Sequence, residues 1–287
     1  MDQVPVFFLH GLAYAGLLFL VSAGLTLVFG MMNVLNFAHA AMYMLGAYFS
    51  YSIMMHFSGQ IWLSLMICPF ILFLFGGFIE RFLLRPVHAK GHVHELLLTF
   101  GLAYIITELV KWYWGNYPLA VNVGGFLGST IPFLGITYPV YRIFIFFCAV
   151  FVGLVMALIL YKTRLGIILR AAVNDSEMAN TLGVNVPVVF MGVFAFGAAL
   201  SGFAGVIAGP LLSTFPGMAN EILVEAFVVI VVGGFGSLGG AVIASLLIGE
   251  LQSFGVLLFP KLSIALVYLL MALVLTIKPA GLFGEEQ

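Results

Sequence analysis

Long apolar runs alternate with short polar interruptions along this chain, and the runs are too long and too uniformly apolar for strands or for one-sided surface helices. A helix needs about 20 mostly apolar residues to cross a bilayer. Six segments meet or approach that length, at residues 7–30, 38–55, 61–79, 94–114, 141–161 and 187–212. The last apolar stretch, 221–277, is interrupted by the sequence GGFGSLGG at Gly233–Gly240 and by Pro260-Lys261. Glycine and proline punctuate helices, so the stretch divides into a short helix at 221–234, a helix at 240–258 and a last span at 261–277. The pattern predicts an all-α polytopic transmembrane helix bundle of about 8–9 membrane helices, some broken or re-entrant. Residues 1–287 form a single transmembrane domain in this reading.

The polar interruptions orient the bundle. Arg81, Arg85 and Lys90 fill one loop, and Lys162, Arg164 and Arg170 fill another two spans later. Short basic loops stay on the cytoplasmic side, so both are predicted there, with the uncharged segment 115–139 and the N-terminus outside. The C-terminus lies inside if 221–234 crosses and outside if it is re-entrant, and Lys278 favours inside. Segment 115–139 reads equally as a folded external loop over the bundle mouth or as a plain connector. The cytoplasmic loop at about 162–186 holds LGIILRAAVNDSEMANTLGV at Leu165–Val184, a short polar helix with an Ala/Gly pattern. Set between two apolar spans, it reads as a docking handle for a partner outside the bilayer.

Composition sharpens this picture. Hydrophobic residues make up 63% of the chain and charged residues 7%, with a mean hydropathy of +1.21, against about 25% charged in a soluble domain. An integral membrane protein with no soluble domain is expected. The net charge is −1 without a basic tail, which gives no reason to expect nucleic acid. Cys68 and Cys148 lie in apolar runs and read as small buried hydrophobes. The N-terminal MDQVPVFFLHGLAYAG has no Lys or Arg before its apolar run, unlike a cleaved signal peptide, so that run reads as a retained helix.

Candidate chemistry is sparse. No GxSxG, HExxH or Walker sequence occurs, so the chain is expected not to be an enzyme, and any ATP must be hydrolysed by another chain. His88, His92 and His94 with Glu95 could hold a metal, but a solvated basic loop is the preferred reading, and no metal site is expected. Charges inside spans are costly and mark function by default. Glu108 and Lys111, three apart on one helix, are expected to pair. Glu221 and Glu225 sit where acids suit a helix N-terminus, while Glu250 lies deeper. Two helix breaks stand out: one contains Asn33, Asn36, Phe37 and His39, the other Gly233, Gly234, Gly236 and Ser237. With Tyr43 and Glu250 these are the candidate lining of a translocation path, since broken helices recur in transporters. The alternative is a pair of ordinary interhelical turns. Small residues from Gly192 to Gly209, with Gly11 and Gly16, permit close helix approach.

Three ordered motifs carry a family resemblance. The sequence GLTLVFGMMNVLNFAHAAMYMLGAY at Gly24–Tyr48, LRAAVNDSEMANTLGVNV at Leu169–Val186, and GGFGSLGG together resemble bacterial branched-chain amino acid ABC importer permeases. The resemblance covers about residues 10–255. It implies one half of an importer in the bacterial inner membrane. Its partners would be a second homologous permease, two cytoplasmic ATP-binding subunits carrying ATP and Mg, and an external substrate-binding protein, with no cofactor in this chain. The ATPase-coupling loop of that family carries over onto Arg170, Ala171, Asp175, Ala179, Leu182 and Gly183, with Glu177 at the rim. The implied cargo is a branched-chain amino acid or a related amide, urea or carboxylate, moved by alternating access. Ala40 and Ala41 stand where members often have Gly and then Glu, which removes one acidic partner for an ammonium group. A passive channel for a small neutral solute is the alternative, and an ion-coupled carrier a second.

Overall fold

The computed structural model describes residues 4–33, 35–57, 60–88, 90–133 and 136–284. Helices dominate: α1 (Val4–Met32), α2 (Ala38–His56), α3 (Ile61–Ile79), α4 (Arg85–His88), α5 (His92–Trp114), α6 (Val140–Lys162), α7 (Arg164–Asn174), α8 (Ser176–Thr181), α9 (Val186–Leu212), α10 (Met218–Gly233), α11 (Leu238–Leu258) and α12 (Ser263–Ile277). Among the described residues, six continuous helical segments are long and apolar enough to cross a membrane, namely α1, α3 with α4, α5, α6, α9 and α11. With α2, α10 and α12 beside them they form the expected all-α polytopic bundle.

α1 runs through the middle, packed on α6, α9, α10 and α11. The small residues explain how. At Gly46 and Gly205 the backbones of α2 and α9 meet so closely that a Cβ on either glycine would collide with the Gly202 backbone or the Tyr43 carbonyl. Dispersion contacts and close backbone approach drive helix association where lipid is as apolar as the protein. The peripheral helices turn apolar side chains outward, among them Met66 and Phe70 of α3 and Phe151 and Leu154 of α6.

The ends of the bundle differ in charge. Arg81, Arg85, Lys90, Lys162, Arg164 and Arg170 lie at one end. There the C-terminal segment also returns, with the Leu282 N–H donating to the Val232 carbonyl at 2.9 Å and Phe283 to Gly233 at 3.0 Å. At the opposite end the Leu119 and Thr214 backbones pair at 2.8 and 2.9 Å, which ties segment 115–139 to the turn before α10. α10 therefore runs from this end to Gly233 at the basic end.

Two details depart from the sequence reading, and a third takes the folded-loop reading of segment 115–139. The third run continues past 79 through a π-helical turn, Glu80–Leu84, into α4, because Arg85 neutralises Glu80 within the helix. The coupling segment is two helices, not one, since Asp175 caps α8 and interrupts the chain after α7. Segment 115–139 holds a 3-10 turn (Gly125–Gly128) and an antiparallel hairpin of β1 (Thr130–Phe133) and β2 (Ile136–Pro139). Tyr138 of this hairpin stacks on His10 at 5.3 Å, and burial pushes its phenol up to about 12.

Candidate translocation and coupling site

At the basic end the chain builds a compact handle. The Gly166 N–H donates to the Thr163 hydroxyl at 3.4 Å and the Met178 N–H to the Asp175 carboxylate at 2.8 Å, so α7 and α8 each start on a side-chain cap. Gly183, at φ 90°, donates to the Asn180 carbonyl at 3.0 Å and turns the chain toward α9, a left-handed conformation that favours glycine. Ala179 faces inward and packs with Ala172 and Val186 in a miniature core. Arg170, Ala171, Asp175, Glu177 and Gly183 are exposed, and Leu182 is exposed to 78%.

The two helix breaks are both turns at this same end. Asn33 closes α1 at φ 51°, a conformation that Asn tolerates better than most residues. Asn36 is buried with its side-chain carbonyl unpartnered among the described residues. The Phe37 N–H donates to the Thr99 hydroxyl at 3.3 Å. His39 is buried 3.0 Å from the Val21 carbonyl, which can only accept, so Nε2 carries the proton. The Ser201 hydroxyl donates to the His39 carbonyl at 2.6 Å. These residues and buried Tyr43 bind α2 to α1, α5 and α9. In the second break, Gly233 lies against the Gly240 backbone, Gly234 (φ 100°) beside Gly284, and Gly236 (φ 76°) beside Gly30, while Ser237 caps α11 at 3.0 Å.

A cavity of about 390 Å³ at the basic end joins the two sets of predicted residues: Arg170 and Asn174 of α7 face Thr26 and Gly30 of α1 and Gly236 and Ser237 of the glycine turn. Asn36, His39 and Tyr43 lie outside its walls.

A second cavity, of about 520 Å³, lies among α1, α10, α11 and α12, toward the opposite end. Its polar wall is Tyr14, Asn220, Glu221, Glu225, Gln252 and Tyr268. The Tyr14 hydroxyl donates to Glu225 Oε2 at 2.6 Å. Glu221 does sit in the first turn of α10; Glu225 lies beyond it, so pairing with Tyr14 replaces the capping role read from the sequence. Glu250 is outside this cavity. It presses its carboxylate on Gly11, where an added Cβ would come within 2.5 Å of Oε2, and neither oxygen has a partner among the described residues.

With this geometry in view, the comparison with known families is decisive: residues 7–275 match the family described as branched-chain amino acid transport system, permease component. The chain belongs to that family. Relatives include the high-affinity branched-chain amino acid transport system permease protein BraD of Pseudomonas aeruginosa, 28% identical over 292 residues, covering 97% of this chain and 95% of BraD. The permease protein LivH of Escherichia coli is 29% identical over 287 residues, covering 93% of this chain and 91% of LivH. A xylose/arabinose import permease, XylH of Sulfolobus acidocaldarius, is 29% identical over 174 residues, 58% of this chain and 46% of XylH. No solved structure matches.

This ABC importer permease also holds ionic features that spacing alone hid. Arg85 donates to both oxygens of buried Glu80, at 3.2 and 2.8 Å, and to the Pro187 carbonyl at 2.8 Å, which ties α3 and α4 to the start of α9. His88 bonds to buried Glu95, and His92 approaches it at 3.3 Å. The first basic loop is therefore solvated at Arg81, Lys90, His92 and His94, as expected, while Glu80 and Glu95 beneath it are buried. Glu108 and Lys111 pair at 2.7 Å, as expected. Tyr14, Gln252 and Tyr268 were not identified from the sequence, because single polar residues in apolar helices gain meaning only when three helices bring them together.

Proposed function

We propose that this permease imports a branched-chain amino acid, or a solute of the same build, by alternating access driven by ATP hydrolysis on partner chains. Its partners in this reading are a second homologous permease, two cytoplasmic ATP-binding subunits holding ATP and Mg, and an external substrate-binding protein, in the bacterial inner membrane. The observation that carries the proposal is the basic-end cavity, where α7 of the coupling loop faces Gly30 and the Gly236-Ser237 turn. A tilt imposed on α7 by a docked ATPase reaches the end of α1 and the start of α11 through that one space. Exposed Leu182 supplies the apolar contact, while Arg170, Asp175 and Glu177 supply polar contacts around it.

The second cavity fits the cargo. Glu221 and Glu225 suit an ammonium group, and Val224, Val228, Ile248 and Ile264 suit a branched aliphatic chain. Carboxylates at membrane depth are expensive on a lipid-facing surface, so this wall faces a watery path or the second permease.

The test is affinity purification of the tagged chain from its native membrane, followed by leucine uptake into proteoliposomes with and without ATP. Recovery of a second permease and ATPases with ATP-dependent leucine uptake is expected, and Leu182→Asp should lose the ATPases while the chain stays folded. A chain recovered alone that conducts leucine without ATP would overturn the proposal in favour of a channel.

A further inference from the structure

Beside α7 lies a groove of about 450 Å³ that solute transport does not explain. Its walls are Ile159 of α6, Phe73 of α3 and Val189 and Gly192 of α9; its floor is Leu27 of α1, and α7 closes its basic end with Leu165. Every residue lining it is apolar. Gly192 is the unusual member of the α9 glycines: a Cβ added there meets no atom within 4 Å, whereas one at Gly197, Gly202 or Gly205 would collide with a neighbouring helix. The small residue at 192 therefore deepens an open slot. The groove opens beside the face of α6 that carries exposed Phe151, Leu154 and Leu158, a surface suited to hydrocarbon.

The rim is charged in one sense only. Lys162, Thr163 and Arg164 form the corner between α6 and α7, flanked by Leu160 and Leu165, which both line the groove. Lys162 and Arg164 are exposed and make no ion pair among the described residues. The sequence has no Asp or Glu between Glu108 and Asp175. Short basic corners face the anionic cytoplasmic leaflet, so the slot and the two cations sit where an acyl chain and its phosphate lie.

We propose that this groove binds an anionic phospholipid of the cytoplasmic leaflet, with one acyl chain along Gly192 and the headgroup phosphate against Lys162 and Arg164. The lipid then fills the space between α6 and α9 and supports α7 from the membrane side, whatever solute the permease carries.

Native mass spectrometry of the purified full chain, titrated with dioleoylphosphatidylglycerol or dioleoylphosphatidylcholine, tests this. The wild type should retain the anionic lipid preferentially. The surface double variant Lys162→Gln/Arg164→Gln should lose about five-fold in affinity per cation removed and thereby its preference, while keeping weak binding of both lipids. Gly192→Phe should displace both lipids, and glycerol 3-phosphate alone should not bind. Equal retention of the two lipids by the wild type, or a preference unmoved by the double variant, overturns the proposal. So does a Gly192→Cys chain that a lipophilic maleimide labels in isolation but not in the assembled importer when both are stripped of lipid, because the second permease would then occupy the groove.

Discussion

Gly30 of α1 and Gly236 of the turn before α11 touch through backbone alone: a Cβ added at Gly30 would lie 2.7 Å from the Gly236 Cα. No side chain can be accommodated without parting the two segments. Gly30→Leu should force α1 away from the turn at an overpacking cost of about 1–3 kcal/mol. The melting temperature of the purified importer should fall, and ATP-dependent uptake should fall further than the amount of permease in the membrane. Normal uptake per molecule would place this contact outside the moving parts.

Arg85 holds a carboxylate whose other basic neighbour among the described residues, His88, stands 4.0 Å away. Glu80 is 1% exposed, and removing the cation from a buried pair costs more than the pair itself contributes. Arg85→Met should destabilise the chain by about 3 kcal/mol, and Glu80→Gln/Arg85→Met should recover much of that loss. Thermal unfolding of the three proteins in one detergent measures it. A double variant as unstable as Arg85→Met would show that the bond to the Pro187 carbonyl carries the stability instead.

Run length and loop charge were enough to place the helices and their grouping, because the cost of burying a backbone in hydrocarbon forces the helix regardless of detail. The boundaries failed where a local partner changed that cost. Glu80 looked like the end of a span because its neutralising residue is five positions away, and the coupling segment looked like one helix because the cap at Asp175 is a single residue. The glycine turn and the coupling helix were each visible, but nothing in their spacing showed that they share a cavity 60 or more residues apart in sequence. The resemblance carried Ala179 over as a coupling residue, yet its side chain is buried and packs on Ala172 and Val186.

The cap at Asp175 can be isolated from docking chemistry. Its carboxylate takes the Met178 N–H at 2.8 Å and is otherwise exposed, so Asp175→Asn preserves the cap while removing the charge. Asp175→Ala should cost about 1 kcal/mol, confined to α8. Hydrogen exchange at residues 176–181 should accelerate in the alanine variant only. ATPase recovery that weakens in both variants would assign the charge a contact of its own; weakening in alanine alone would assign it the cap.

The bond from Tyr14 to Glu225 separates charge from shape in the second cavity. In Glu225→Gln the side-chain carbonyl still accepts from the Tyr14 hydroxyl, so the wall keeps its form and loses only its negative charge. A hydrogen bond to a charged group contributes about 1.5–3 kcal/mol, so the KM for leucine should rise at least ten-fold, with the assembled importer recovered in normal amount. 4-Methylpentanamide keeps the branched aliphatic chain but has no ammonium to place, and its uptake should be unchanged. Tyr14→Phe leaves the carboxylate charged and frees an oxygen, so its effect on leucine should be the smaller of the two. Equal losses for leucine and the amide would make Glu225 a packing residue and move the recognition of the amine to another chain.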